Sequence, residues 1–380
     1  MNKKKILVLV DWFAPGYKAG GPIQSCVNFA FALRNDFDIY VLTTDTDHGE
    51  TQPYQNIISN TWVRNEGDGF AIFYAKKQGL HFRQLKKVML EVNADYVYLN
   101  HLFSPYFVVY PLWLKYTGQL TSEVVVCPRG ALYASALSVK PYKKMPFLAL
   151  SRGLGIHKKI IFHATNKREE VAIIKFFPGS KVIIADNLPN TNQHAFVSCE
   201  KTKGELKCIF IARIVAIKNL LFVLDVMGKS AAAIALTVIG PIEDKSYWAE
   251  CEKKIAQLPS NIKVGYRGPK RNDELAEIMQ QHHLFVLPTT GENFGHSIFE
   301  AMLWGRPVLI SDQTPWLELA DRKAGWDLPL SGPDKFARVI EEATGLDQQG
   351  FDEWAHGAWQ YAHDFISNPE LHNQYLKLFS

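Results

Sequence analysis

Cysteine is scarce and shows no pairing pattern: there are five (Cys26, Cys127, Cys199, Cys208 and Cys251), widely spaced and without a C-x-x-C. An odd, dispersed set argues against a disulfide framework or a zinc knuckle and points to the cytosol. Long apolar runs are missing too. None reaches about eighteen residues, so a spanning helix is not expected. The start, Met1 to Val10, imitates a signal peptide, but its apolar stretch breaks at Asp11 with no small-residue cleavage site, and it reads as a first buried strand. No G-x-G-x-x-G follows that strand and no Walker loop occurs, which lowers dehydrogenase and ATPase readings. With 47% hydrophobic and 21% charged residues, 25 Gly and 19 Pro, collagenous, disordered and low-complexity classes are excluded. One further absence is local: residues 124–168 contain no acid but nine bases (Arg129, Lys140, Lys143, Lys144, Arg152, Lys158, Lys159, Lys167 and Arg168).

At 380 residues the chain is too long for one core and suits two domains of about 180 residues each. The overall charge of +4 hides an asymmetry. Residues 1–190 carry 23 Lys/Arg against 14 Asp/Glu, or +9, while residues 191–380 carry 19 against 24, or −5. An anionic partner for the first half follows from that split.

Short continuous apolar runs at 6–10, 39–43, 96–99, 124–127 and 160–164 read as buried strands of a parallel sheet. The pattern repeats at 208–212, 235–239, 262–266, 284–288 and 308–310, with helical segments between. The expected fold class is α/β: two doubly wound Rossmann-like domains, 1–190 and 191–360, facing an inter-domain cleft. The joint falls in 186–205, where Asn187-Leu188-Pro189-Asn190-Thr191-Asn192 is turn chemistry. Helical spacing of Trp354, Trp359, Phe365 and Leu371, followed by Tyr375, suggests that a segment 361–380 packs back on the first domain. Ligands of such sheets sit beyond the carboxyl ends of the strands, so the chemistry belongs in the loops there.

The richest loop is Pro288-Thr289-Thr290-Gly291-Glu292-Asn293-Phe294-Gly295-His296-Ser297, entering a helix that closes at Gly305. Glu300 lies about one turn in, among apolar neighbours on every side. A carboxylate there costs several kcal/mol unless something bonds to it, and a ligand with hydroxyls would do so. Glu292 stands at the helix mouth, where the amides of Gly295, His296 and Ser297 can receive a phosphate. The plainer reading makes Glu292 a helix cap and gives Glu300 an arginine partner. After the strand 208–212, Arg213 and Lys218 place two cations on a turn into a helix, suited to a diphosphate leaving group.

Together, Ala212-Arg213, Lys218-Asn219, a turn at Gly268, and Gly291-Glu292-Asn293-Phe294-Gly295 with Glu300 closing an E-x7-E resemble retaining nucleotide-sugar glycosyltransferases of the GT-B fold, family 4. Gly20-Gly21-Pro22-Ile23-Gln24 stands where that family has a glycine-rich loop, and His101 ends a strand where it often has a histidine. Cys127-Pro128-Arg129-Gly130-Ala131-Leu132 is similar to a branch that builds bacterial surface polysaccharides, although Arg129 stands where many members carry His.

The resemblance implies a metal-independent hexosyl transfer to a glycan or lipid-linked saccharide, with the nucleotide-diphosphate sugar as donor and no other cofactor. Glu300 would hold the ribose. Arg267 and Gly268–Lys270 would meet the base, and Arg213, Lys218 and the Gly295–Ser297 amides the diphosphate. Phe294 belongs to the same donor loop, and Glu292 would orient the sugar. Gly20 and Gly21 would approach the distal phosphate, and Arg129 and His101 would serve the acceptor. Arg129 as a structural arginine and His101 as a satisfied core histidine remain open alternatives.

The sequence admits three other readings. Asp45-Thr46-Asp47 after a strand suits a divalent cation, but stands far in sequence from the donor motifs. A nucleotide-sugar hydrolase or epimerase would use the same donor residues. The basic first half could hold nucleic acid, but the segment 124–168 lacks stacking platforms and any recognition motif, so no nucleic-acid partner is expected. Residues 140–159 hold six bases and no acid, and read either as a solvated face or as a peripheral contact with an anionic cytoplasmic leaflet.

Overall fold

The computed structural model describes residues 3–64, 67–190 and 195–380, apart from the side chain of Asn272. Thr191 and Asn192 of the expected turn, and Met1 and Asn2, lie outside the described residues. The chain forms two compact units, Met1–Pro189 with Pro369–Ser380, and Asn190–Asn368. No helix among the described residues is long and apolar enough to cross a membrane.

The first unit is built on eight strands: β1 (Lys5–Leu9), β2 (Asp38–Thr44), β3 (Trp62–Val63), β4 (Ala71–Ala75), β5 (Tyr96–Asn100), β6 (Glu123–Cys127), β7 (Ile161–Ala164) and β8 (Lys181–Ile184). Their order is β3-β4-β2-β1-β5-β6-β7-β8, parallel except for the β3–β4 pair. β1 sits centrally, in register Ile6↔Ile39 on one side and Ile6↔Tyr96 on the other. Its Ile6, Leu7, Val8 and Leu9 are all buried, because helices cover both faces of a parallel sheet.

The second unit has six parallel strands: β9 (Glu205–Ile211), β10 (Ala233–Ile239), β11 (Ile262–Tyr266), β12 (Leu284–Leu287), β13 (Val308–Ser311) and β14 (Gly325–Leu328). Their order is β11-β10-β9-β12-β13-β14. All ten strands expected from the sequence are present. Four more, β3, β4, β8 and β14, were not anticipated. β3 is only two residues long, and the residues of β8 are half-buried or exposed, so neither makes a strong apolar run.

The tail divides differently from the expectation. Trp354, Trp359 and Phe365 belong to the helix Gln348–Ile366 of the second unit, and Leu371 and Tyr375 to the separate helix Glu370–Leu378. Pro369 precedes that last helix, at a position where proline's missing N–H costs nothing. The last helix belongs to the first unit: Tyr375 and the following Phe379 meet Phe29, and Gln374 accepts from the Asp186 amide at 2.7 Å.

Candidate active site

In the second unit the loops after successive strands are joined to one another in the order of the sheet. Beyond β11, the Gly268 carbonyl accepts from the Gly240 amide beyond β10 (3.1 Å). Pro241, next to it, accepts from Ile214 beyond β9 (2.8 Å). Ile217 on that turn accepts from Thr290 beyond β12 (2.9 Å), and Glu292 donates its amide to Gln313 beyond β13 (3.0 Å). Five loops thus form one backbone-bonded edge at the carboxyl ends of the strands. Gly240 makes this closeness possible: its φ is 140°, and a β-carbon there would lie 1.9 Å from the Ala212 carbonyl oxygen.

The structure brings two of the expected site residues together on this edge. Lys218 forms an ion pair with Glu292, and both are largely buried. The short turn Ala216–Lys218 ends at Asn219, whose left-handed backbone starts the helix Leu220–Met227 and whose side-chain amide donates to the Pro288 carbonyl at 3.0 Å. Arg213 stands apart from this pair and is bonded to Glu243. Glu243 went unnoticed in the sequence because an isolated acid in a loop carries no periodic signal.

The helix His296–Leu303 begins at Gly295, with φ 79° and no side-chain cap. A β-carbon on Gly295 would come within 2.7 Å of Ile298 and 3.1 Å of the Glu292 side chain, so this glycine lets Glu292 lie against the helix mouth. Glu292 therefore pairs with Lys218 and does not cap the helix. His296 and Ser297 occupy the first turn, half-buried. Phe294, grouped with the donor loop by its motif, turns its ring into a cluster with Phe299, Trp316 and Phe365, and its carbonyl accepts from the Trp316 indole at 2.5 Å. This packing anchors the loop.

Glu300 has no arginine. Its carboxyl group makes no hydrogen bond or ion pair among the described residues, and burial pushes its pKa up to about 7. A half-buried carboxyl without a polar partner is costly to the fold. Arg267 is exposed, its amide bonded to Val238 (2.9 Å), and it precedes the Gly268 turn at the β11 end of the same edge.

The first unit has an edge of its own. Gly20 begins the helix Gly21–Leu33 with φ 66°, and both glycines are exposed. The approach to that helix is shaped by Asp47, whose carboxylate accepts from the amides of Tyr17 (2.9 Å), Lys18 and His48 (2.7 Å). Asp45 likewise accepts from Ser59 (2.7 Å) and the Lys77 amide (3.0 Å). Both carboxylates of the Asp-x-Asp are therefore engaged in loop structure. His101, exposed and with φ 74°, follows β5 and donates its amide to Cys127 at 2.9 Å.

Arg129 follows β6 with φ 54° and donates to Asn100 (3.1 Å), Tyr98 (3.1 Å) and Asn187. All three acceptors are neutral. Burial and the nearby guanidinium hold His163 far down, at about 3, so its ring is neutral, accepts from Tyr98 and donates to the Ala185 carbonyl (2.7 Å). The Arg129-Gly130 turn is held from behind by buried Glu169, which accepts from Gly130 (2.5 Å) and Thr165. Asp11 breaks the apolar run of β1. It is a half-buried carboxyl raised by desolvation, bonded to Ser104 at 2.8 Å. An acid ending the first strand was the available signal.

Residues 205–344 match the family model described as Glycosyl transferases group 1. The whole chain superposes on solved structures. Sucrose-phosphate synthase from Thermosynechococcus elongatus gives a TM-score of 0.74 at 14% identity, covering 99% of this chain and 98% of that one. HepE of Anabaena, solved with UDP and glucose, gives 0.73 at 16%, covering 99% of both chains. WaaG, a glycosyltransferase involved in lipopolysaccharide biosynthesis, gives 0.63 at 14%, covering 98% of both. The chain has the GT-B glycosyltransferase fold. The matched segment contains the whole edge from Arg213 to Gln313. No curated protein sequence matches the chain.

Proposed function

We propose that the protein is a retaining family 4 glycosyltransferase, moving a sugar from a nucleotide-diphosphate sugar to a hydroxyl of a glycan or lipid-linked saccharide in surface polysaccharide synthesis. The observation that carries this reading is the half-buried carboxyl of Glu300, without a polar partner among the described residues, on the same helix-and-loop unit as Glu292 of the Lys218–Glu292 pair. The pairing leaves one carboxylate neutralised and the other waiting for hydroxyl donors.

In this reading Glu300 accepts from the ribose hydroxyls, and Arg267 with the Gly268 turn meets the base. The mouth of the helix His296–Leu303, Lys218 and Arg213 take the diphosphate, where the helix dipole and both cations favour negative charge. Loss of the diphosphate leaves an oxocarbenium-like sugar, so the main task is to stabilise the leaving charge and position the acceptor hydroxyl. A donor phosphate oxygen takes the acceptor's proton on the face from which the diphosphate departs, which retains configuration without a protein nucleophile or a metal. Glu292 orients the sugar hydroxyls. In the first unit Gly20 and Gly21 offer bare backbone to an anion, and Arg129 and His101 serve the acceptor. The enzyme works in the cytoplasm at the inner face of the membrane, where a lipid-linked acceptor is found.

A thermal-shift panel of nucleoside diphosphates and their sugars tests the donor half directly. One base family should raise the melting temperature in the wild-type protein and fail to do so in Glu300→Ala. No stabilisation by any member would overturn the reading.

A further inference from the structure

The basic segment of the first unit folds into a helix, Pro141–Gly153, with an unusual arrangement of faces. The inward face is Lys144, Phe147, Leu148 and Ser151, at the i, i+3, i+4, i+7 spacing of one helical stripe. Lys144 belongs there through its stem, its ammonium donating to the Ala136 carbonyl at 2.6 Å. The outward face repeats the same spacing one half-turn away: Tyr142, Met145, Pro146, Ala149, Leu150 and Gly153. Every one of these is apolar or amphipathic, and all are exposed, Tyr142 by 69%, Leu150 by 62% and Met145 by 45%. A water-facing helix normally puts its charges outermost, and this one puts them on its flanks.

At about 100° per residue, Lys143 and Arg152 fall on opposite sides of the apolar stripe. Lys140 precedes the helix, and Lys158 and Lys159 follow it. None of the six bases from Lys140 to Lys159 forms an ion pair among the described residues. The surrounding sequence offers no acid between residues 124 and 168. Single exposed apolar side chains need no explanation, but a continuous stripe bordered by unneutralised cations does.

We propose that the outward face of helix Pro141–Gly153 is a membrane-docking face, which lies in the headgroup plane of an anionic leaflet with Tyr142, Met145 and Leu150 inserted. Charge complementarity selects a lipid surface over a second copy of this chain, because two copies would bring like charges together. The apolar stripe enters the acyl boundary while Lys143, Arg152 and the Lys158–Lys159 pair meet phosphates at its rim. Tyr142 suits the depth where a ring is buried and its hydroxyl remains wet. The face concerns attachment and not chemistry, so vesicle binding and sugar transfer can fail independently.

The test uses the full chain with vesicles of phosphatidylglycerol and phosphatidylcholine or of phosphatidylcholine alone. Met145→Cys is labelled with an environment-sensitive fluorophore, and the wild-type chain taken through the same labelling is the control for native thiols. Co-sedimentation should require the anionic lipid, and the label should shift to the blue on binding. Tyr142→Glu with Leu150→Glu should lower partitioning on the order of tenfold or more while leaving the melting temperature unchanged, since both side chains are exposed. Binding with no shift of the label would place attachment elsewhere and overturn the proposal. So would absence of binding, equal binding to neutral vesicles, or a dimer in sedimentation that the double variant dissociates.

Discussion

Lys218 and Glu292 are ion-paired across 74 positions of sequence, joining the turn after β9 to the loop after β12. With both side chains largely shielded, the pair is more than a surface contact and less than a fully desolvated one. A double-mutant cycle on Lys218→Ala and Glu292→Ala, read by chemical denaturation, should show a coupling on the order of 1 kcal/mol. Strict additivity would mean that the two side chains do not meet in solution.

The two cations should differ in what their loss does to the fold but agree in catalysis. Arg213→Ala and Lys218→Ala should each lower turnover by about a hundredfold or more, an oxyanion-type loss of about 3 kcal/mol. Arg213→Ala should melt normally, because its partner Glu243 stays in water. Near-normal turnover in either folded variant would remove that residue from the leaving-group site.

Glu300 and Glu292 should separate by role. Glu300→Ala should weaken nucleoside diphosphate binding, measured by calorimetry, while Glu292→Ala should spare it and reduce turnover. Matching effects from both would refute the placement. Turnover should also persist in excess EDTA; loss of activity restored by Mn²⁺ would promote Asp45 and Asp47 despite their present partners.

The raised pKa of Glu300 gives a signed pH dependence. Its carboxyl titrates near 4.5 when unfolded and near 7 when folded, so the folded state holds the extra proton between those values. Stability from this group is complete below about 4.5 and is lost as pH rises to about 7. Glu300→Gln should therefore melt on the order of a few degrees higher than wild type at pH 8, with the gap closing toward pH 4.5. Nucleotide affinity should tighten from pH 6 to 8 more in wild type than in Glu300→Gln, the phosphate's own titration being common to both. Parallel pH profiles would indicate an ordinary carboxyl.

Gly295→Ala tests the helix mouth. The left-handed backbone costs a non-glycine residue roughly 1–2 kcal/mol, and the new methyl group meets Ile298 and the Glu292 side chain. The variant should lose stability by about that amount and lose turnover more steeply, because Glu292 is displaced. Wild-type kinetics in this variant would free Glu292 from the role given to it.

Local pattern was enough to determine the alternation of buried runs and helices, the ten strongest strands, and the loops that hold Arg213, Lys218, Glu292 and Glu300. Each depends on burial of a continuous run or on glycine and proline placement, which act over a few residues. The weak edge strands β3 and β8 are settled by pairing with a neighbour, and only the fold supplies that neighbour. The same holds for partners. That Glu292 meets Lys218, that Arg213 meets Glu243, that Glu300 has no polar partner among the described residues, and that Asp45 and Asp47 are engaged in their own loops are all set by how the fold places loops beyond adjacent strands. The basic run at 140–159 was visible as charge, but its apolar outward stripe became apparent only once Leu148 and Ser151 were seen to face inward, because a helical wheel has no inside until something packs against it.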